Sequence, residues 1–245
     1  MSRQLQERHY PESRFGGFTD CDGTVAFYSR VRALVPAEGT VLDVGCGPGN
    51  HSEDAVEFRR HLRDFRCNAR EVIGIDVDSL GQSNPTIDRF VLVEEGSAWP
   101  LEANSVDLAV ADCMLEHVRD PDHFLGECAR LIRPGGYLCI RTPYIFSYFG
   151  LASLLIPSSA RGAVIRRVQT NRKAEDVYPA YYHCNTTRKL RRALSAHGFD
   201  ACVYGYEAEP SYLSFSSLAY ALGVVHQHLA PSFLRVALFA FAARV

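Results

Sequence analysis

Short apolar segments alternate with helical stretches between about residues 40 and 142, and this alternation limits the fold more than any other feature of the chain. Each segment is β-branched or apolar on both faces, which is typical of strands buried in a parallel sheet that helices cover. The pattern therefore predicts a doubly wound α/β domain. The predicted strands are Thr40–Val44, Val72–Asp76, Phe90–Val93, Val106–Ala111 and Tyr137–Arg141.

Helical spacing of apolar residues marks segments between and around these strands. Pro134, Gly135 and Gly136 are predicted to end the helix before the fifth strand, and Gly198 is predicted to end a later helix. The predicted helices are Thr24–Leu34, Asn50–Phe65, one that carries Phe124 to Ile132, and Thr187–His197, and further strands are predicted at Ala201–Tyr206 and Arg235–Ala242.

Composition favours one globular domain over residues 1–245. The chain is 47% hydrophobic and 22% charged, and 26 basic against 28 acidic side chains give a net charge of -2. Such a chain can bury a sizeable core, so disorder is not expected. The balanced charge gives no support to a polyanion-binding surface, and we expect no nucleic-acid partner.

The eight cysteines are scattered, and none forms the CxxC spacing that a zinc site or a redox pair favours. We interpret them as reduced, small apolar side chains and expect no metal site. The first residues also lack the apolar core of a signal peptide, so the expected location is the cytoplasm, where thiols persist.

Two stretches carry no formal charge, namely Thr142–Ala160 and Ser211–Leu234. Ser, Pro and Tyr dilute both, so neither resembles a membrane-spanning helix. They are interpreted as apolar cover over a soluble domain, with peripheral contact to a lipid surface left open. For the aromatic segment Tyr144–Ile156 three interpretations stand side by side: the wall of an apolar acceptor site, a lid helix, or the contact of a homodimer.

The first strand runs into a glycine-rich turn that contains Gly45, Gly47 and Gly49. Glycines let backbone amides approach a ligand without a Cβ in the way. A dinucleotide fingerprint would need another glycine where this chain has Asn50. Asp43 would also repel a pyrophosphate, whereas it suits a cationic ligand such as S-adenosylmethionine, which carries a sulfonium and an ammonium group.

Asp76 ends the second predicted strand in a carboxylate. Its two oxygens can accept hydrogen bonds from both hydroxyls of a ribose, as in dehydrogenases. Asp76 alone therefore indicates adenosine, and Asp43 with the glycine spacing indicates which adenosine compound.

Several further motifs follow in order along residues 37–142. With the glycine turn and Asp76, they resemble the class I S-adenosylmethionine-dependent methyltransferases, in particular the small-molecule group called methyltransferase type 11. The motifs are Gly96–Leu101, Asn104–Leu108, Leu115–Val118, Asp120–Pro121 and Leu131–Gly136.

This resemblance implies a Rossmann-like, seven-stranded, mostly parallel sheet whose last strand, Arg235–Ala242, is antiparallel. It also implies S-adenosyl-L-methionine as cofactor and S-adenosyl-L-homocysteine as product. Family members commonly have an acidic residue at the position of Ser97, so adenine binding is expected to depend more on Ala98 and Trp99. The residues predicted to bind the cofactor are Asp43, Gly45, Cys46, Gly47, Gly49, Asp76, Val77, Ser97, Ala98, Trp99, Asp112 and Cys113.

Within the single domain, residues 1–36 are expected to form an N-terminal cap and residues 37–142 the cofactor-binding half. Residues 143–185 are expected to form an acceptor-side insertion, and residues 186–245 the rest of the sheet. The insertion carries a basic cluster that could contact phosphate or carboxylate, although such clusters are more often simply solvated. The cluster consists of Arg161, Arg166, Arg167, Arg172 and Lys173.

The expected reaction is methyl transfer to a small-molecule, glycan or lipid-linked acceptor, mainly through positioning and exclusion of water. A hydroxyl acceptor would need a base, for which His117 and His183 are candidates. Each has a second interpretation: His117 could orient its loop, and His183 could be an ordinary loop histidine. The alternative function is a non-catalytic binding protein with this fold that acts through its apolar C-terminal region.

Overall fold

The computed structural model describes residues 2–148, 150 and 179–245, and within these residues the chain forms one seven-stranded sheet. The strand order is β3-β2-β1-β4-β5-β7-β6. The strands are β1 Thr40–Val44, β2 Glu71–Asp76, β3 Arg89–Leu92, β4 Val106–Asp112, β5 Ile132–Pro143, β6 Phe199–Tyr206 and β7 Ala237–Arg244.

The directions of the strands confirm the predicted fold class. β1 pairs in parallel with β2 and β4, and the parallel pairing continues to β3 on one side and to β5 on the other. β7 is antiparallel to both of its neighbours, β5 and β6. This last strand begins two residues later than predicted, because a short 3-10 turn and a tether from Arg235 to the Gly205 carbonyl precede it.

Six α-helices lie within the described residues. They are α1 Ser2–His9, α2 Gly23–Leu34, α3 Glu57–Arg63, α4 Pro121–Leu131, α5 Thr187–Ala196 and α6 Ser217–Leu229. Short 3-10 turns occupy Pro11–Arg14, Asn50–Glu53, Phe65–Cys67, Ser79–Ser83, Leu115–His117, Ser211–Leu213 and Ser232–Leu234.

Successive residues of each central strand point to opposite faces of the sheet, which buries both faces. Val41 and Val72 pack with Phe27 of α2 and Leu62 of α3. On the other face, the core is completed by side chains of α4 and α5. The residues of that second cluster include Leu42, Ile73, Ala109, Phe124, Leu125, Leu131, Leu190 and Leu194.

The predicted first crossover helix, Asn50–Phe65, is wrong as one continuous element. The structure divides it into two 3-10 turns and the short helix α3. Asp54 causes the break, since its backbone is extended and its carboxylate accepts a hydrogen bond from the Val56 amide at 2.9 Å. An aspartate that bonds its own backbone two residues on competes with helix formation.

The turn at Pro134, Gly135 and Gly136 lies inside a strand rather than before one. Ile132 pairs with Val106 and Tyr137 pairs with Leu108, so the residues between form a bulge within β5. Gly135 has φ +79°, which a glycine adopts without strain. The fifth strand is therefore longer than predicted at its start.

Most of the predicted insertion, including the basic cluster of Arg161, Arg166, Arg167, Arg172 and Lys173, lies outside the described residues. Among the helices that are described, none is long and apolar enough to cross a membrane.

Asp22 joins α2 to α3, so we expect Asp22→Ala to lower the free energy of unfolding by about 2 kcal/mol. Its carboxylate accepts the amides of Thr24 and Val25 at 2.8 and 2.9 Å, and it accepts Arg59 Nη1 at 2.9 Å. Urea titration measures the change. Asp20→Ala, at an exposed neighbouring position, should change stability little, and equal losses in the two variants would contradict the assignment.

Candidate active site

A cavity of about 920 Å³ lies where β1, β2 and β4 end at their carboxyl termini. This is the edge at which ligands bind in open parallel sheets. Its lining includes residues 44–51, 75–78, 93–96, 112–114 and 117–120, together with Arg63, Trp99, His123, Pro179, Tyr181 and Tyr212.

The glycine turn forms one wall of the cavity, and the glycines serve different purposes. Gly45, Gly47 and Gly49 all have positive φ. A Cβ at Gly49 would lie 2.4 Å from Asn84 Oδ1, so close packing also requires glycine there. A Cβ at Gly47 would meet open space on the cavity side, which leaves room for a ligand against the backbone.

Asp76 is held in one orientation at the end of β2. One carboxylate oxygen accepts the Gly47 amide at 2.8 Å, and the other accepts the Asp78 amide at 3.0 Å. Each oxygen has a second lone pair. A lining carboxylate fixed in this way can still accept two hydroxyl hydrogens.

Asp112 ends β4 in a buried ion pair. Arg141 of β5 donates to it from Nε at 2.6 Å and from Nη2 at 2.7 Å, and the Tyr28 hydroxyl donates at 2.9 Å. Arg63 Nη2 lies farther away, at 3.3 Å. Although burial acts in the opposite direction, the arginines and these hydrogen bonds hold the pKa of Asp112 well below its usual range.

Asp43, two residues before the turn, titrates in the opposite direction to Asp112. Burial raises the pKa of its carboxyl from 3.8 to about 7, and the negative charges of Asp112 and Asp76 act in the same direction. Arg63 opposes the shift. Asp43 is partly buried and is not among the residues that line the cavity.

His51 follows the glycine turn and lines the cavity, a position that sequence reasoning missed. Its Nε2 lies 3.1 Å from Thr86 Oγ1. The Thr86 hydroxyl donates to Asn84 Oδ1 at 2.7 Å, so the hydrogen-bond network assigns the proton to His51 Nε2. Burial lowers the pKa of His51 to about 4, which keeps the ring neutral.

The two predicted candidate bases lie in different surroundings. His117 lines the cavity, and its Nδ1 lies 2.8 Å from the Pro179 carbonyl oxygen, which can only accept a hydrogen. The proton therefore belongs on Nδ1, and Nε2 is the basic nitrogen, 3.9 Å from Glu116 Oε1. His183 is exposed and stacks on the Tyr181 ring with centroids 5.8 Å apart, outside the cavity lining.

The structure brings most of the predicted cofactor residues to the cavity. Ser97 and Ala98 are exposed and are not part of its lining, and the Ser97 carbonyl lies 3.0 Å from His123 Nε2. Their roles, like that of Asp43, stay predictions. The predicted residues that do line the cavity are Gly45, Cys46, Gly47, Gly49, Asp76, Val77, Trp99, Asp112 and Cys113.

The described part of the chain contains no group of three or more His, Cys, Asp or Glu side chains placed to hold a metal ion. All eight cysteines fall within that part and are free thiols.

Helix α6 presents an apolar stripe to solvent. Leu218, Leu222, Val225 and Leu229 are exposed at helical spacing, whereas Tyr220 and Gly223 are buried. The charge-free C-terminal stretch thus covers the domain with one face only. The predicted contact of this stretch with a lipid surface stays a prediction. So does the homodimer contact considered for Tyr144–Ile156, of which residues 149 and 151–156 lie outside the described part of the chain.

The fold is that of the class I S-adenosylmethionine-dependent methyltransferases. The family described as methyltransferase domain matches residues 19–203, more than half of the chain. The protein belongs to this family.

Relatives and solved structures agree with this assignment. Ubiquinone biosynthesis O-methyltransferase of Cupriavidus pinatubonensis is 33% identical over 102 residues, which are 42% of this chain and 40% of the relative. The corresponding enzyme of Paraburkholderia xenovorans is 31% identical over 117 residues, 45% of this chain and 50% of the relative. The chain thus matches half or less of the length of these relatives.

Two solved structures share the fold at low sequence identity. A SAM-dependent methyltransferase of Archaeoglobus fulgidus has a TM-score of 0.54 at 19% identity, covering 96% of this chain and 97% of its own. Geranyl diphosphate C-methyltransferase of Streptomyces coelicolor, solved with S-adenosyl-L-homocysteine, has a TM-score of 0.51 at 14% identity, covering 90% and 78%.

The residues of the cavity fit the cofactor of this class. Asp76 keeps acceptor capacity for ribose hydroxyls, and Gly47 leaves open space beside the backbone. Apolar side chains of Val77, Leu80 and Val93 also line the wall and can pack on an adenine ring.

Asp43 should make stability depend on pH. A folded-state pKa of about 7 against an ordinary value of 3.8 means that stability is lost as pH rises through this interval. The Asp43→Asn side chain cannot ionise, so this variant avoids the loss. Its free energy of unfolding relative to that of the unaltered chain should therefore be about 1–3 kcal/mol higher at pH 8 than at pH 5. Urea titrations at both pH values measure this difference.

Asp200→Asn is the matched control, because Asp200 is exposed on β6. It should show the same stability relative to the unaltered chain at both pH values. If the stability difference between Asp43→Asn and the unaltered chain does not change with pH, the Asp43 carboxyl ionises normally.

Proposed function

We propose that the protein is an S-adenosylmethionine-dependent methyltransferase that acts on a small-molecule acceptor. The observation that carries the proposal is the cavity at the ends of β1, β2 and β4, with Asp76 fixed beside the open face of Gly47. Family membership supports the reaction class. The relatives named as ubiquinone biosynthesis O-methyltransferases favour a small-molecule acceptor with a hydroxyl group.

When bound, S-adenosylmethionine supplies a methyl group activated by the sulfonium. The protein's tasks are then to align the acceptor and to exclude water. Asp76 and the glycine turn would hold the adenosine part. On the acceptor side, a hydroxyl must lose its proton, and His117, which lines the cavity and has Nε2 as its basic nitrogen, would accept it. Glu116 would stabilise the imidazolium that forms.

Titration calorimetry with S-adenosyl-L-homocysteine tests cofactor binding. The unaltered chain should bind. Asp76→Ala removes the acceptor for the ribose, and Gly47→Val fills the open space at φ +51°, so each should weaken binding at least about tenfold. Asp200→Ala should bind normally, and circular dichroism should show that all the variants are folded.

Absence of binding by the unaltered chain would favour the second candidate function, a non-catalytic binding protein. The exposed apolar stripe of α6 is the observation that supports this alternative.

His117→Gln should lower the rate of methyl transfer to a hydroxyl acceptor by about 100-fold or more, because the general base is lost. Its affinity for S-adenosyl-L-homocysteine should be unchanged. Transfer of a labelled methyl group into a small-molecule cell extract identifies the acceptor and then measures the rate. His228→Gln, on the exposed end of α6, serves as control. A larger loss in His183→Gln than in His117→Gln would assign the base to His183.

A further inference from the structure

Six large apolar side chains, which we call the apolar row, lie along α6 and the turns on either side of it. Its members are Phe215, Leu218, Leu222, Val225, Leu229 and Phe233. Each is more than half exposed to solvent, and consecutive members are three or four positions apart in the sequence. Single exposed apolar side chains are ordinary on a protein surface, whereas a continuous row of this size marks an interaction surface.

The spacing within the apolar row favours a helix as its partner. On α6 the steps from Leu218 to Leu229 are four, three and four residues, which is the narrow pattern of helices that pack along one seam. A helix that lies on a lipid surface instead has a wide apolar face and a polar face rich in lysine and arginine. Residues 211–234 contain neither lysine nor arginine, so a lipid surface suits the row less well.

The opposite face of α6 is fixed to the rest of the chain. Tyr220 is buried in a cluster with Leu5 and Tyr10, and the Tyr10 and Tyr220 rings meet edge to face with centroids 6.4 Å apart. Gly223 is also buried, and a Cβ there would lie 2.5 Å from Pro210 Cβ. Helix α6 therefore presents the apolar row from a fixed position and need not unfold to expose it.

The order of side chains in the apolar row is nearly the same in both directions. Read from either end, it is an aromatic ring, a leucine and then one of the central pair, Leu222 and Val225. If two copies of α6 pack antiparallel about a twofold axis near position 224, Phe215 of one copy lies beside Phe233 of the other. An interface between identical copies requires this self-complementarity, because one surface patch must fit itself.

The size and the charge of this face also suit a second copy. Six side chains with this exposure present on the order of 600 Å² of apolar surface, close to the roughly 800 Å² that each partner contributes to a standard interface. Residues 211–234 also contain no lysine, arginine, aspartate or glutamate, so twofold pairing brings no such charge against its own copy. Complementary charges, which help different proteins to select each other, are missing from this stretch.

We propose that the chain forms a homodimer in which two copies of α6 pack antiparallel through the apolar row. Pairing removes the row from water, and this burial supplies the free energy of association. The inference goes beyond the proposed function and does not depend on it, since no member of the row lines the cavity.

Sedimentation velocity over a range of micromolar concentrations tests the proposal. The unaltered chain should sediment with twice the mass of one chain. Leu218→Lys and Leu229→Glu should each weaken association about 100-fold or more, because each would bury an unpaired charge in both halves of the dimer. Leu92→Lys changes an equally exposed leucine on β3, outside the row, and should leave the dimer intact.

Mixing the two variants tests the direction of packing. In the antiparallel dimer, position 218 of one copy faces position 229 of the other, so Leu218→Lys mixed with Leu229→Glu should associate at least about tenfold more tightly than either alone. Such a rescue also shows that both variants are folded. Rescue by Leu218→Glu in place of Leu229→Glu would overturn the antiparallel arrangement.

A chain that stays monomeric at every concentration would overturn the homodimer, and so would a dimer that Leu218→Lys affects no more than Leu92→Lys does. Flotation with phosphatidylcholine vesicles completes the test. A monomer that floats with these vesicles, and does so less when it carries Leu218→Lys, would assign the row to a lipid surface instead.

Discussion

Asp112 and Arg141 form a buried ion pair where β4 and β5 end, and the electrostatics of the cavity follow from it. Two charges taken out of water stabilise each other only when geometry and hydrogen bonding are good, and here Arg141 contacts both carboxylate oxygens while Tyr28 adds a third hydrogen bond. Arg63 lies farther from Asp112, at 3.3 Å, and its charge also acts on Asp43.

The cavity is therefore built at some cost to stability. Asp43, Asp76 and Asp112 converge because β1, β2 and β4 are parallel neighbours that end at one edge of the sheet. Burial of the Asp43 carboxyl raises its pKa first, and the negative charges of Asp112 and Asp76 add to this effect.

The side of the cavity that carries His117 depends on a second buried network. Asn185 donates to the Thr142 hydroxyl at 2.6 Å, and that hydroxyl donates to Glu116 at 2.9 Å. The Glu116 carbonyl in turn accepts the Tyr181 amide at 2.7 Å. These bonds connect the segment beginning at Pro179 to the loop that carries His117, so the orientation of the candidate base depends on residues far away in the chain.

The sequence by itself determined the strands, because successive residues such as Val41 and Leu42 are both apolar and so make both faces of a strand apolar. It also determined the ligand-binding edge, because Gly47 closely follows the first strand and Asp76 ends the second. It did not determine the break at Asp54, which depends on a local hydrogen bond, nor the exposure of Ser97 and Ala98. Only the tertiary structure decided the contacts of Arg63, His51 and Arg141. Their partners lie 49, 35 and 29 positions away along the chain, and polar contacts at such separations leave no periodic pattern that a sequence could show.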